Sequence, residues 1–278
     1  MPNYPVTKIS TADKQVNILQ ITDLHLSLCP ASITDKNSKP AVCQKNFEAV
    51  LKQALNTDIR CDLILVTGDL VDQVRTSIYD YIFEVLEATG IPFACIAGNH
   101  DVTEEDDHRL PFSQRKLIPK SADPRLLSRH VIDTDNWQLL LLDSSITGKV
   151  AGEIPPTDID WLSQRLGSCD KPAIIVVHHH VIPVDSAWID SHMAKNTEDF
   201  WESMAGFEQL KAVVSGHIHQ DQIRHRQGVI VYSTPSTCYQ FKPFEDDFAY
   251  DEDARPGYRW LQLANNGKVA SWIERLDT

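Results

Sequence analysis

The sequence predicts an α/β protein, and three observations support this prediction. Short apolar runs recur along the first 220 residues. Several of these runs are separated by segments in which apolar residues return every three to four positions. The C-terminal part of the chain changes character and contains strand-like segments only. Buried strands that alternate with amphipathic helices are typical of α/β proteins.

The first part of the chain alternates between the two kinds of segment. We interpret the short apolar runs as buried strands, and in order they cover 16–22, 63–67, 92–97, 137–143, 173–178 and 212–216. The segments with helical periodicity are 47–55, 77–88, 158–166 and 197–206. Strands of this kind, with helices between several of them, favour sheets covered by helices.

The C-terminal part predicts further strands over 228–236, 258–265 and 268–276, and Asn265-Asn266-Gly267 indicates a tight hairpin turn between the last two. No repeat, low-complexity tract or linker interrupts the sequence, so we expect a single domain over residues 1–278. The irregular segments 179–196 and 233–257 are expected to be loops at the active site, because long loops on an α/β core often carry function.

Composition limits the classes of partner. The net charge is −13, which argues against unspecific binding to nucleic acid or to anionic membranes. No apolar stretch approaches the about 20 residues of a membrane helix, and the polar N-terminus lacks a secretion signal. We therefore expect a cytoplasmic protein. The scattered cysteines, which contain no C-x-x-C pair, are expected to be reduced and mostly buried: Cys29, Cys43, Cys61, Cys95, Cys169 and Cys238.

Polar residues follow five of the predicted strands, directly where each apolar run ends. They are Asp23 and His25, Asp69, Asn99 with His100 and Asp101, the histidines 178–180, and His217 with His219. Open α/β sheets place their ligand sites at the carboxyl ends of strands. One such coincidence would carry little weight, whereas five in succession predict a common site.

The residue types indicate a metal centre. In D-x-H and H-x-H, the two ligands point to the same side if the backbone is extended. Carboxylates, imidazoles and an amide suit Mn, Fe or Zn, and the absence of cysteine disfavours a structural zinc site. The set is too large for one ion and suits two ions that share a carboxylate, a geometry used for displacement at phosphorus.

The ordered motifs D-x-H, G-D, G-N-H-D, H and G-H-x-H, between residues 23 and 219, resemble those of the calcineurin-like metallophosphoesterase superfamily. The segments LQITDLHL, TGDL, AGNHD, HHHVIP, W-x-D-x-H, SGHIHQ and STPSTCYQFKP are similar to those of the bacterial class III 3′,5′-cyclic AMP phosphodiesterases. This resemblance implies a four-layer α/β/β/α sandwich with mixed sheets, and a dimetal site at the carboxyl ends of the strands.

The resemblance also implies the ligand sets. One divalent ion would be held by Asp23, His25, Asp69 and His219. The other would be held by Asp69, Asn99, His178 and His217, with Asp69 bridging the two ions. The ions would be Fe²⁺ or Mn²⁺, with Zn²⁺ as an alternative. Asn99, His100, Asp69 and His219 would contact the substrate.

His100 is expected to be catalytic, because in the family the histidine after the ligand asparagine binds the scissile phosphate and protonates the leaving oxygen. Asp101 would orient or charge its imidazole. Of the three consecutive histidines, His178 is the expected ligand. His179 should face away from His178. For His179, a structural role with a hydrogen bond to the backbone and a role in the site are about equally expected. His180 would reach the substrate or support the ligands.

The resemblance implies hydrolysis of 3′,5′-cyclic AMP to 5′-AMP by a hydroxide that bridges the two ions. The partner would be a small cyclic nucleotide, with no nucleic acid and no membrane, and the oligomeric state stays open. Two alternatives remain: a general phosphodiesterase, pyrophosphatase or nuclease of the same superfamily, and a binding scaffold that has lost catalysis. The acidic charge disfavours a nucleic-acid substrate, and the complete ligand set disfavours the scaffold.

Overall fold

The structure is a computed structural model that describes residues 5–11, 15–27, 35–102 and 125–277. All the predicted strands and helices lie inside these ranges. Cys29 lies outside the described residues.

The strands and helices are numbered in chain order. The strands are β1 Val6–Lys8, β2 Val16–Ile21, β3 Leu63–Thr67, β4 Phe93–Ile96, β5 His130–Asp133, β6 Gln138–Leu141, β7 Ala173–Val176, β8 Leu210–Ser215, β9 Gln222–Arg226, β10 Val229–Ser233, β11 Gly257–Leu263 and β12 Val269–Arg275. The helices are α1 Lys39–Leu55, α2 Thr76–Ala88, α3 Pro156–Gly167, α4 Ala187–Asp190 and α5 Thr197–Met204, with a single 3₁₀ turn at Asn99–Asp101.

The strands form two mixed sheets. A seven-stranded sheet has the order β1-β5-β6-β7-β8-β10-β9, and a five-stranded sheet has the order β12-β11-β2-β3-β4. Strands β2, β3 and β4 run parallel, and so do β6, β7 and β8. The carboxyl ends of these neighbouring parallel strands therefore lie together at one edge of each sheet.

Four layers result from the packing of these sheets. Apolar residues of β2, β3 and β4 pack against those of β6, β7 and β8 in a core between the sheets. A second core lies between the five-stranded sheet and helices α1 and α2, and a third between the seven-stranded sheet and helices α3 and α5. The expected α/β/β/α sandwich is confirmed. None of the described helices combines the length and the apolar character that crossing a membrane requires.

Most of the predicted elements are confirmed, with shifted ends. The helix predicted over 47–55 begins earlier, at Lys39, with Pro40 in its first turn, where proline's missing N–H costs nothing. The turn at 265–267 does join β11 to β12 as an antiparallel hairpin. Strands β1, β5 and β9 were not predicted, because each is short or polar: β9 exposes alternate residues at the edge of its sheet.

The expectation that the cysteines are reduced is wrong for one pair. Cys43 of α1 and Cys238 form a disulfide, with their Cα atoms 4.6 Å apart. The two residues are 195 positions apart in the chain, so no local spacing indicated the pairing. Cys61, Cys95 and Cys169 carry free thiols.

Candidate active site

The residues that follow β2 and β8 converge into one buried group. Nε2 of His219 lies 3.2 Å from Oδ1 of Asp23, and it lies 3.1 Å from Nε2 of His25. The three side chains are buried, and their ligand atoms lie within 4.8 Å of one another. This group has the composition of a metal site with two imidazoles and a carboxylate.

A second group comes from the ends of β4, β7 and β8. Nε2 of His178 lies 3.3 Å from Oδ1 of Asn99. His178, His179 and His217 form a cluster whose ligand atoms lie within 4.8 Å of one another, and both ring nitrogens of His179 already have hydrogen-bond partners. This group therefore offers an amide oxygen and two imidazoles.

Asp69, which follows β3, lies between the two groups. Its Oδ2 is 3.8 Å from Nε2 of His25 in the first group and 3.5 Å from Nε2 of His178 in the second. Its Oδ1 accepts a hydrogen bond of 2.8 Å from the backbone N–H of His100. One carboxylate thus faces both groups, as a bridging ligand would.

Backbone carbonyls hold two of the imidazoles in a defined orientation. Nδ1 of His178 lies 2.7 Å from the carbonyl oxygen of Thr67, and Nδ1 of His219 lies 2.8 Å from that of Tyr239. When Nδ1–H donates to a carbonyl, Nε2 carries the free lone pair that a metal ion needs.

The backbone at these positions is left-handed rather than extended. Asp23, His25, Asp69, His217 and His219 have φ between 47° and 68°, and they make up five of the ten non-glycine residues with positive φ in the described ranges. The extended geometry expected for D-x-H and H-x-H is therefore wrong. Such conformations are costly outside glycine and concentrate at functional sites.

Two glycines allow the strand ends to approach one another. A Cβ on Gly68, whose φ is +97°, would lie 2.3 Å from Nδ1 of His178. A Cβ on Gly98 would lie 2.2 Å from Oδ1 of Asp69 and 2.7 Å from Nε2 of His178. Any larger residue would thus displace the ligand atoms.

The electrostatics of the cluster leave most ligands without a proton. Burial opposes ionisation of Asp69, but the charges of His178 and His100 outweigh it and hold its pKa well below the usual value. Burial lowers the pKa of His25 to about 3, and burial with the neighbouring histidines holds that of His217 well below its usual range. His178 is different: burial opposes its charge, but Asp69 raises its pKa to about 9.

These residues fit a pair of divalent ions. Nε2 of His217 is buried, and no described residue forms a hydrogen bond with it. A buried imidazole nitrogen without a partner is costly, and a metal ion would satisfy it. Binding would also displace the proton that His178 retains in the ion-free protein.

The imidazole of His100 lies beside this cluster and reaches solvent, with its side chain 36% exposed. Its Nδ1 is 3.0 Å from the carbonyl oxygen of Asp72 and 4.0 Å from a carboxylate oxygen of the same residue. Burial lowers the pKa of His100, but the charges of Asp69 and Asp72 outweigh it and raise that pKa above its usual value.

Asp101 does not contact the imidazole of His100, although its charge contributes to the raised pKa of that ring. Its buried carboxylate accepts hydrogen bonds from the Tyr79 hydroxyl at 2.7 Å and from the backbone N–H of Gly98 and Leu70 at 2.8 and 3.2 Å. Asp72, and not Asp101, contacts the ring of His100. Consecutive residues of a 3₁₀ turn point in different directions, so Asp101 fastens the turn and His100 faces the cavity.

Comparisons with known proteins agree with this geometry. The family model for calcineurin-like phosphoesterases matches residues 16–221. The chain belongs to this family. A probable cyclic nucleotide phosphodiesterase of Psychrobacter arcticus is 69% identical over 279 residues, which covers 100% of both chains. The 3′,5′-cyclic adenosine monophosphate phosphodiesterase CpdA of Vibrio vulnificus is 34% identical and covers 95% of this chain and 92% of its own length.

Two solved structures share the fold at low identity. The purple acid phosphatase PPD1 from yellow lupin matches with a TM-score of 0.61 at 10% identity, over 94% of this chain and 54% of the lupin chain. A dimetal phosphatase from Danio rerio matches with a TM-score of 0.54 at 14% identity, over 94% of this chain and 99% of its own.

The other two consecutive histidines of this phosphoesterase have structural contacts. Nδ1 of His179 lies 2.7 Å from the Ser144 hydroxyl, and Nε2 lies 3.0 Å from the carbonyl oxygen of Val150. The bond to a backbone carbonyl agrees with the structural role considered for His179. Its ring centroid is 4.5 Å from that of His217, so the ring does not face away from the cluster as expected. Buried His180 lies 3.3 Å from a carboxylate oxygen of Asp190, which also accepts the backbone N–H of Val184 and helps to close the loop that follows.

A cavity of about 170 Å³ opens onto the site of this phosphoesterase. Asp69, Asn99, His100, His217 and His219 line it together with aromatic side chains that sequence reasoning did not assign, and these are Trp188, Tyr239, Phe241 and Phe248. Trp188 lies in the predicted loop 179–196, and the other three lie in 233–257. The loops were therefore indicated by the sequence, whereas the individual rings were not.

Proposed function

We propose that this phosphoesterase is a dimetal 3′,5′-cyclic-nucleotide phosphodiesterase that converts cyclic AMP to 5′-AMP. The observation that carries the proposal is the carboxylate of Asp69, which faces two groups of imidazole and oxygen ligands beside the exposed ring of His100. Two metal sites joined by one carboxylate are a recurrent arrangement for displacement at phosphorus.

The proposed ligands of one ion are Asp23, His25, Asp69 and His219, and those of the other are Asp69, Asn99, His178 and His217. Fe²⁺ or Mn²⁺ are the ions we propose, and Zn²⁺ suits the same mixture of nitrogen and oxygen ligands. When bound, such a pair supplies Lewis-acid stabilisation of the phosphate oxygens and lowers the pKa of the water that attacks phosphorus.

His100 is proposed as the general acid. Asp72 holds its Nδ1 through a backbone carbonyl, which leaves Nε2 as the nitrogen that serves the substrate. The raised pKa of the imidazole favours the protonated form, which can deliver a proton to the departing 3′ oxygen. The 3′ ester bond breaks, the 3′ oxygen takes the proton from Nε2, and the phosphate stays on the 5′ oxygen.

The names of the relatives and the acidity of the chain support a small substrate. Relatives that match nearly the whole chain are named as cyclic nucleotide and cyclic AMP phosphodiesterases. A net charge of −13 disfavours a polyanionic nucleic acid. A cyclic nucleotide carries one phosphate, which the locally positive metal pair would attract.

The test uses purified protein loaded with Mn²⁺ or, without oxygen, with Fe²⁺. Product chromatography compares 3′,5′-cyclic AMP, 2′,3′-cyclic AMP and bis(p-nitrophenyl) phosphate, and the metal content is measured on the same sample. We expect preferential turnover of 3′,5′-cyclic AMP to 5′-AMP, lost on chelation. Turnover of the model diester without that of the cyclic nucleotide would retain the metal centre and refute the substrate.

Two substitutions test the site. Asn99→Ala and His100→Ala should each reduce kcat/KM by about 10²-fold or more, since a positioned acid commonly contributes 10²–10⁴-fold. His225→Ala is the matched control, because His225 is an exposed histidine on β9. Near wild-type turnover by both site variants would contradict the assignment.

A further inference from the structure

The mouth of the cavity carries an unusual concentration of exposed aromatic residues. Among the described residues, seven large apolar side chains are exposed, and three of them are the rings of Phe244, Phe248 and Tyr250. All three lie in one seven-residue stretch that is otherwise mostly acidic. Single exposed apolar residues are common, whereas a concentrated group next to a polar site indicates a binding surface.

Only one of these three rings, that of Phe248, lines the cavity. Phe248 lines it and is 54% exposed, whereas Phe244 is 63% exposed and does not line it. Trp188 lines it from the other loop, with its ring centroid 5.0 Å from that of Phe248 at an interplanar angle of 73°. Two loops that are about 60 residues apart in the chain thus build one aromatic wall.

The other two aromatic rings that line the cavity, Tyr239 and Phe241, pack against the ligand cluster. Phe241 stacks on the imidazole of His219, with centroids 4.3 Å apart and an interplanar angle of 19°. Trp188 packs against Phe241 edge to face at 5.0 Å. Phe241 therefore connects the metal end of the cavity to its aromatic end. Among the aromatic residues that line the cavity, Phe248 is the one with an exposed side chain.

We infer that Phe248, supported by Trp188, is the platform on which the base of the cyclic nucleotide stacks. The inference rests on the function proposed above and adds to it the residues that recognise the base. The phosphate would lie among Asn99, His100 and the metal ligands, and the planar base would lie against the aromatic end of the same cavity. A base can stack on an aromatic ring without regard to its hydrogen-bonding edge.

The acidic residues next to Phe248 favour the same placement of the substrate, with its base at the aromatic end of the cavity. Glu245, Asp246 and Asp247 directly precede Phe248 in the chain. Glu245 forms an ion pair with Lys242 at 2.8 Å, so Asp246 and Asp247 supply the net negative charge next to Phe248. A phosphate would be repelled there, whereas an uncharged base would not. The cavity thus accepts a molecule that has one anionic end and one aromatic end.

The test compares two substrates that differ only by the base. They are 3′,5′-cyclic AMP and ribose 3′,5′-cyclic phosphate, which keeps the scissile ring and lacks adenine. Base stacking on one aromatic residue corresponds to a change of about 5- to 150-fold. Phe248→Ala should therefore lower the ratio of kcat/KM for cyclic AMP to kcat/KM for the abasic compound by about fivefold or more.

Two variants serve as controls. Phe244→Ala removes an equally exposed ring from the same stretch and should keep the wild-type ratio. Phe248→Trp restores an aromatic surface and should recover the ratio lost in Phe248→Ala. A wild-type ratio in Phe248→Ala, or an equal loss of ratio in Phe244→Ala, would overturn the inference.

A binding measurement on the wild-type holoenzyme is independent of how the variants fold. Calorimetry should show that 5′-AMP binds about 5- to 150-fold more tightly than ribose 5-phosphate, the range expected for stacking of one base. Equal affinities would overturn the platform. If the wild-type enzyme cleaves bis(p-nitrophenyl) phosphate but neither cyclic compound, the proposed function fails as well. If the wild-type enzyme cleaves cyclic AMP and Phe248→Ala keeps the wild-type ratio of the two kcat/KM values, the proposed function stands and only the platform is refuted.

Discussion

Substitution of Gly98 by alanine should disable the metal centre through a single methyl group. The φ and ψ of Gly98 are −109° and −171°, a conformation that alanine adopts without strain, so the effect is steric. The new Cβ would lie 2.5 Å from the backbone nitrogen of Asp69, whereas ordinary contact begins near 3.4 Å. Asp69 must therefore shift by roughly 1 Å, and a misplacement of that size costs about 10²-fold in rate.

The assay measures bound metal per chain and kcat/KM for bis(p-nitrophenyl) phosphate, which does not depend on base recognition. We expect Gly98→Ala to lose about 10²-fold in kcat/KM, or about 2.7 kcal/mol of transition-state stabilisation. Gly167→Ala is the matched control, because its Cβ would meet Phe207 at 3.9 Å, an ordinary contact. Full metal content together with wild-type kcat/KM in Gly98→Ala would refute the reasoning.

Four further predictions concern the surroundings of His100, the 3₁₀ turn, the metal centre and the disulfide. Asp72→Asn should lower kcat by less than about tenfold, because the backbone carbonyl still holds His100, whereas His100→Ala loses about 10²-fold or more; equal losses would contradict this ranking. Asp101→Ala should lower the free energy of unfolding in urea by about 2–4 kcal/mol, since three donors lose their acceptor; an unchanged unfolding midpoint would speak against it. Chelation should lower the Tm, and Mn²⁺ should restore it, because the ions bind only the folded chain. Reduction of the denatured protein should release two additional thiols, from Cys43 and Cys238; no increase would exclude the disulfide.

The position of the site was predictable because it depends on two local signals. Apolar runs that end in Asp, His or Asn mark the carboxyl ends of buried strands, and parallel neighbours bring those ends together. Asp23, Asp69, His178 and His219 therefore met as the motifs indicated. That the whole chain forms one domain stays a prediction.

The features that the sequence did not predict are local backbone conformations, side-chain directions and contacts between residues that are far apart in the chain. The left-handed backbone at His25 or His217 has no local signal, because neither residue is a glycine. Adjacency in the chain suggested Asp101 as the partner of His100, but the turn directs the two side chains apart and brings Asp72 into contact. Phe248 lines the cavity because the segment 233–257 folds next to the residues that follow the strands, and composition does not predict such a contact.

The division of the proposed ligands between the sheets has a consequence for assembly. Asp23, His25, Asp69 and Asn99 follow strands of the five-stranded sheet, whereas the three ligand histidines 178, 217 and 219 follow strands of the seven-stranded sheet. Each proposed ion would therefore take its ligands from both halves of the sandwich, and neither half alone offers the complete ligand set. During synthesis, the ions could be captured only after the ribosome has released the chain beyond residue 219 and the sheets have docked. Metal loading would then report on completion of the fold.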